Sequence, residues 1–167
     1  MTLEIVPPAE ADYDELLALN ESCVPHVNSI GIDEIAFFHR SAHKFIKVVE
    51  NGELAGFVIA LVPGINYESL NYQWFSRELS GFLYIDRILV HPNFRRRGVA
   101  SFLYDYLEQV AVEDSIDCLC CEVNLLPVNP ESLALHEQLG FSQKATQLTE
   151  NGTKEVSMLV KPLIVEQ

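Results

Sequence analysis

The chain has 167 residues, 49% of them hydrophobic, with 24 Asp and Glu against 11 Lys and Arg for a net charge of −13. That length predicts one domain, 1–167, with enough apolar residues for a sizeable core. The acidic balance argues against a nucleic-acid partner, which needs a broad basic face, and no apolar run nears the ~20 residues that span a bilayer.

Met1-Thr2-Leu3-Glu4 lacks the basic start and apolar run of a secretory signal, so a cytoplasmic location without a membrane partner is expected. Leu3–Val6 reads as a first strand, stopped by Pro7-Pro8. In 9–21, Tyr13, Leu16, Leu17 and Leu19 fall at helical spacing, and Val24-Pro25-His26-Val27-Asn28-Ser29 follows as a loop. Asp33 is read as the cap of a second helix reaching about His43. Asn51-Gly52 between Lys44–Glu50 and Glu53–Val62 is a hairpin signal, because those residues accept the positive φ of a tight turn. Residues 64–80 form a long insertion with a helical stretch near Asn71–Leu79. Phe82–Val90 reads as a buried strand, Ala100–Glu113 as a helix with Leu103 and Leu107 on one face, and Asp117–Asn124 as a strand. A helix over 130–139 ends at Gly140. Phe141–Leu148 and Lys154–Lys161 make a last hairpin around Asn151-Gly152.

Four cysteines occur, and Cys118, Cys120 and Cys121 crowd one apolar stretch without the paired spacings of a zinc site, so reduced buried thiols and no metal are expected.

Two segments carry chemistry. In Tyr84-Ile85-Asp86-Arg87-Ile88-Leu89-Val90-His91-Pro92-Asn93-Phe94-Arg95-Arg96-Arg97-Gly98-Val99-Ala100-Ser101, an apolar strand runs through a Pro-containing turn into a basic Gly loop that opens a helix. Arg95, Arg96 and Arg97 are 3 of the 11 basic residues in an acidic chain. A helix start offers unpaired N–H groups and partial positive charge to a pyrophosphate, and Gly98 lets the backbone approach without a Cβ. The bland alternative is a solvated basic turn. The second segment is Asn129-Pro130-Glu131-Ser132-Leu133-Ala134-Leu135-His136-Glu137-Gln138-Leu139-Gly140-Phe141.

Arg-x-x-Gly-x-Ala after a strand, followed by Asn-x6-His-x3-Gly-Phe, resembles the GNAT acyltransferase superfamily, with specific motifs over Tyr84–Phe141 and element order elsewhere. The resemblance implies an α/β (α+β) GNAT fold: a mixed, mostly antiparallel sheet of six to seven strands, flanked by about four helices, with central strands splayed for acyl-CoA. It implies transfer of acetyl from acetyl-CoA to a primary amine of a small molecule or peptide, and a homodimer by family analogy. Ile88, Leu89 and Val90 are then expected to offer backbone groups to the pantetheine arm. Arg95, Arg96, Arg97, Gly98, Val99, Ala100 and Ser101 are expected to wrap the pyrophosphate. Asn129, with Ser132 and His136 behind it, is expected to contact the cofactor; Asn129 before Pro130 equally suits a helix cap.

His136 departs from the family, which most often has Tyr there as general acid. Neutral imidazole still has one N–H to give the leaving thiolate, while a purely structural His is the alternative. Asp86 and Glu122 compete as the base that deprotonates the amine, and Asp86 is preferred for matching the acidic residue of the family's central strand. The alternatives are an ion pair for Asp86 and an exposed strand edge for Glu122. The acceptor is expected to meet His26, Asn28 and Ser29 on one loop and Tyr67, Glu68, Tyr72 and Trp74 on the insertion. A phosphate-loop hydrolase is disfavoured because Gly-x4-Gly-Lys-Ser/Thr is absent. A non-catalytic acyl-CoA sensor of the same fold remains the alternative, supported by the missing Tyr.

Overall fold

Turn chemistry sets the first hairpin. Asn51 and Gly52 both take positive φ, 51° and 79°, and the turn they make joins β2 (Lys44–Glu50) to β3 (Glu53–Leu61) in antiparallel register. The structure, a computed structural model, describes residues 2–163. These carry seven strands and five α-helices, and the strand order of the sheet is β1-β2-β3-β4-β5-β7-β6. The chain divides into two compact units, one built from residues up to Leu61 with Ile85–Leu107, the other from Val62–Tyr84 with Glu108 onward.

The first unit holds β1 (Glu4–Val6), α1 (Tyr13–Ser22), α2 (Ile32–Ser41), β2, β3, the second half of β4 (Phe82–Val90) and the start of α4 (Val99–Glu113). β1 pairs antiparallel with β2, and the buried core includes Leu16, Ile35, Phe38, Phe57, Ile59 and Leu103. Asp33 lies in the first turn of α2 rather than at its cap. The cap is Gly31, whose N–H donates to the Glu34 carboxylate at 2.9 Å, so the reach-back of an acid at the third helical position decides the boundary. α1 begins at Tyr13, after a short 3-10 turn over Glu10–Asp12 in which Asp12 accepts from the Ala9 N–H at 2.7 Å and pairs with Lys47 at 2.9 Å.

The second unit holds α3 (Leu70–Glu78), the first half of β4, the rest of α4, β5 (Cys118–Leu126), α5 (Pro130–Gln138), β6 (Ser142–Thr149) and β7 (Lys154–Pro162). Phe82–Tyr84 pair in parallel with Cys118–Cys120, whereas β5–β7 and β6–β7 are antiparallel. β5 outlasts the expected end at Asn124 because, after a bulge, its ladder with β7 continues to Leu126↔Glu155. The insertion supplies α3, the helical stretch expected near Asn71–Leu79, which brings the helices to five where the family resemblance implied about four. Ser69 Oγ caps it by accepting from Tyr72 N–H at 3.3 Å, and Gln147 Nε2 of β6 donates to Asn71 Oδ1 at 2.9 Å. The four cysteines are free thiols, three of them buried, and burial pushes the Cys118 and Cys120 thiols up. No helix among the described residues is long and apolar enough to cross a membrane, and none of their His, Cys, Asp and Glu side chains form a group of three that could hold a metal ion.

Gly56 of β3 marks the tightest backbone approach: a Cβ there would stand 2.4 Å from the Leu89 carbonyl oxygen of β4. That neighbour is main chain and has no rotamer to escape into. Gly56→Ala should therefore cost about 3 kcal/mol of unfolding free energy in a urea titration, and a change under about 0.5 kcal/mol would contradict the contact.

Candidate active site

The C-terminal half of β4 ends at Val90, where His91 N–H donates to the Ala55 carbonyl at 2.8 Å and starts a 3-10 turn over Pro92–Phe94. Buried Phe94 anchors that turn, and the Arg97 guanidinium lies 5.0 Å from its ring centroid. The next residues are exposed, which leaves the Arg95-Arg96-Arg97-Gly98 backbone on the surface. Arg96 and Gly98 both adopt positive φ, 60° and 82°, and between them they reverse the chain into α4. The helix opens with Phe102 N–H donating to the Gly98 carbonyl at 3.0 Å. Val99, Leu103 and Leu107 are buried, so this helix start is fixed by packing while Gly98 and Ser101 face outward. A Cβ on Gly98 would meet no atom within 4 Å: its glycine is required by φ, and the space beside it is open.

The three arginines differ. Arg97 Nη2 reaches Glu50 Oε2 at 3.2 Å, and Arg95 Nε donates to the Val90 carbonyl at 3.4 Å. Both side chains are exposed, so these are weak tethers that an anion can displace. Asp86, on the buried part of the same strand, accepts from Arg87 Nε at 2.7 Å, with both side chains 5% exposed or less.

In the second unit, the Tyr84 hydroxyl lies 2.9 Å from each carboxylate oxygen of Glu122. Tyr84 is fully buried against the rings of Tyr72 and Phe75, with centroids 5.5 and 5.7 Å away, so its hydroxyl position is rigid. Asn129 caps α5: its Oδ1 accepts from Ser132 N–H at 3.4 Å, and Pro130 occupies the first helical position. His136 is 3% exposed, edge-on to Phe141 at 5.1 Å. Its Nδ1 stands 2.6 Å from the Ser132 carbonyl oxygen and 3.3 Å from Ser132 Oγ. A carbonyl only accepts, so Nδ1 carries the proton and the neutral ring has its lone pair on Nε2. Burial holds His136 below its ordinary value of 6.5, with the Ser132 hydrogen bond opposing in part, so the neutral tautomer dominates at pH 7.

A sequence profile of the acetyltransferase (GNAT) family matches residues 13–141. The chain belongs to that family. No curated protein sequence matches it. Among solved structures, it is similar to Ard1 from Thermoplasma volcanium, with 17% identity, a TM-score of 0.79, and coverage of 99% of this chain and 100% of the other. It is similar to Arabidopsis thaliana NAA60 in complex with a bisubstrate analogue, with 17% identity, a TM-score of 0.76, and coverage of 96% and 98%. A third is Chaetomium thermophilum Naa20, also with a bisubstrate analogue, at 16% identity, a TM-score of 0.74, and coverage of 98% and 87%. At these identities the likeness is one of fold.

Within this member of the family the sequence-predicted residues fall into groups. Ile88–Val90 and Arg95–Ser101 form one continuous strand–turn–helix in the first unit. His26, Asn28 and Ser29 are exposed on the loop between α1 and α2. Tyr67, Glu68, Tyr72 and Trp74 sit on the insertion, but Tyr72 is 2% exposed and its hydroxyl serves the loop, donating to the Val62 carbonyl at 2.7 Å and accepting from Ile65 N–H at 3.1 Å. Trp74 is half-buried, edge-on to Phe75 at 5.1 Å; Glu68 is exposed. Sequence reasoning passed over Tyr84 and Arg87. The signal was present, since a phenol two residues from Asp86 and an arginine inside an apolar strand each need a partner once buried.

Because the buried His136 favours the neutral form, the unfolded chain binds its proton more readily. The stability that neutrality provides is complete above about pH 6.5 and is lost as pH falls below it. The drop in unfolding free energy from about pH 7.5 to about pH 5.5 should be smaller in His136→Gln than in the wild type. Equal drops would place the imidazole in water.

Proposed function

We propose that the protein is an acyl-CoA-dependent N-acyltransferase that moves acetyl from acetyl-CoA directly to a primary amine of a small molecule or peptide. The observation that carries this reading is the strand–turn–helix at Val90–Ser101, with positive φ at Arg96 and Gly98 and open space beside Gly98, in a chain of the acetyltransferase family. The backbone N–H groups of Gly98, Val99, Ala100 and Ser101 take the pyrophosphate, Arg95, Arg96 and Arg97 neutralise it, and the Ile88–Val90 main chain receives the pantetheine arm. Bisubstrate analogues bound to the structurally similar NAA60 and Naa20 support a CoA-derived ligand for this fold. One profile running through both units supports a single acyltransferase domain. Four free thiols fit a cytoplasmic location; a homodimer belongs to the same reading by analogy.

When bound, acetyl-CoA supplies an activated thioester. Glu122 removes the ammonium proton, the amine nitrogen bonds to the acetyl carbon, and the carbon–sulfur bond breaks to leave the CoA thiolate. Glu122 is preferred to Asp86 as the base because Tyr84 orients both its oxygens, while Asp86 is committed to Arg87. His136, with its N–H on Ser132, offers Nε2 as a hydrogen-bond acceptor rather than an acid. Water or the incoming amine's own proton then quenches the thiolate. That spent N–H also favours the second reading, a sensor that binds acyl-CoA without transfer; release of free thiol with any member of a primary-amine panel would rule the sensor out.

Gly98→Glu should weaken acetyl-CoA binding at least about a hundredfold by calorimetry, the loss of two charge-assisted contacts. Gly64→Glu is the control, sharing positive φ (95°) and open surroundings, and should leave affinity unchanged. Equal affinities for both variants would refute the pyrophosphate site. Glu122→Gln should lower turnover about a hundredfold or more, and Tyr84→Phe should move the acidic limb of the pH–rate profile to higher pH by removing a hydrogen bond to the carboxylate. An unmoved limb would take Glu122 out of the reaction.

A further inference from the structure

Arg87 sits inside the first unit, 6% exposed, on a strand filled, apart from Asp86 beside it, by hydrophobic side chains. A buried guanidinium is costly unless each face of its fork is used. Here Nε donates to Asp86 Oδ2 at 2.7 Å, and Nη1 donates to Asn20 Oδ1 at 2.6 Å and to the Asn28 carbonyl at 3.2 Å. The plane also covers the Phe38 ring of α2, 5.4 Å from its centroid. Asn20, on α1 and 0% exposed, completes the arrangement by donating its own Nδ2 to the same Asn28 carbonyl at 3.0 Å.

These contacts converge on one main-chain atom of the loop joining α1 to α2. The Asn28 carbonyl is held by two donors from beneath, one of them cationic, and next to it Ser29 Oγ donates to Glu21. Yet the side chains of His26, Asn28 and Ser29 are exposed. The backbone is pinned while the side chains face out, the arrangement expected of a loop that must present groups from a set place.

We propose that Arg87 is a positioning residue: it fixes the main chain of the α1–α2 loop to β4 so that the side chains at 26, 28 and 29 are offered to the acceptor amine in one geometry. The role assigned to the loop rests on the acyltransferase reading above; the clamp itself does not. Asp86 is in this view the anion that holds the guanidinium, and it serves the loop rather than the proton transfer. A lysine cannot span the three acceptors, because a single ammonium lacks the planar fork.

Amide hydrogen exchange on the intact chain tests it. Arg87→Met should speed exchange in residues 23–30 about tenfold or more, with Arg87→Lys between it and the wild type, while β2 and β3 keep their protection. Asp86→Asn should loosen the same loop. If Arg87→Met fails to fold, Asn20→Ala, which removes one donor and one acceptor but leaves the ion pair, should give the same local rise. Unchanged exchange over 23–30 in these variants, or a rise spread equally over β2 and β3, would overturn the proposal. Acetyl-CoA titration of the wild type separates the two readings: absent binding would defeat the transferase assignment while the exchange pattern still decides the clamp.

Discussion

Two left-handed residues govern the proposed cofactor-binding end of this molecule. Arg96 at φ 60° and Gly98 at φ 82° turn the chain out of β4 and immediately into α4, so the first amides of that helix are delivered at the surface beside a run of cations. Each such conformation costs a non-glycine residue about 1 kcal/mol or more. Arg96 bears that cost, which the packing of Phe94, Val99 and Leu103 on either side offsets. An acidic protein of net charge −13 thereby concentrates positive potential at one helix start, where the macrodipole adds to it. This is the physical basis for reading the segment as a phosphate cradle.

Asp86 and Glu122 show how environment distinguishes similar groups. Asp86 and Glu122 both lie on strands of the sheet and both have a close partner. Asp86 meets a guanidinium, a permanent cation that holds it in a structural pair. At Glu122 the Tyr84 phenol, a neutral donor, orients both carboxylate oxygens. On the proposed reading, the phenol contact aims the Glu122 oxygens, while the ion pair ties Asp86 to Arg87. His136 follows the same logic: its backbone hydrogen bond chooses the tautomer, and the tautomer chooses what the ring can do.

The sequence carried the architecture well where local chemistry and periodicity agreed. Phe82–Val90 is a strand over its full predicted length, Asn51-Gly52 turns as its φ preferences require, and Gly140 takes φ 95° behind α5. Boundaries moved where a specific partner decided them: Glu34 reaching back three residues to Gly31 displaced the cap from Asp33, and the distant β7 ladder drew β5 on to Leu126. The phosphate-binding role of the basic glycine loop remains the proposal above, and its strand–turn–helix was legible because its residues are contiguous in sequence. The proton chemistry was not. Whether Asp86 is paired, which nitrogen of His136 holds the proton and what Tyr72 does with its hydroxyl depend on contacts with Arg87, the Ser132 carbonyl and the Val62 carbonyl. Even the near neighbours among these require the three-dimensional path of the chain, and periodicity gives only the face.

The central claim is that main-chain amides at the start of α4 grip a diphosphate. The most direct measurement is an amide nuclear-resonance titration of the labelled protein with acetyl-CoA. The account predicts that the largest shifts fall on Arg96, Arg97, Gly98, Val99, Ala100 and Ser101, and that inorganic pyrophosphate alone moves the same set in the same direction. Saturable acetyl-CoA binding that leaves those six amides in place, while shifting others, would contradict it.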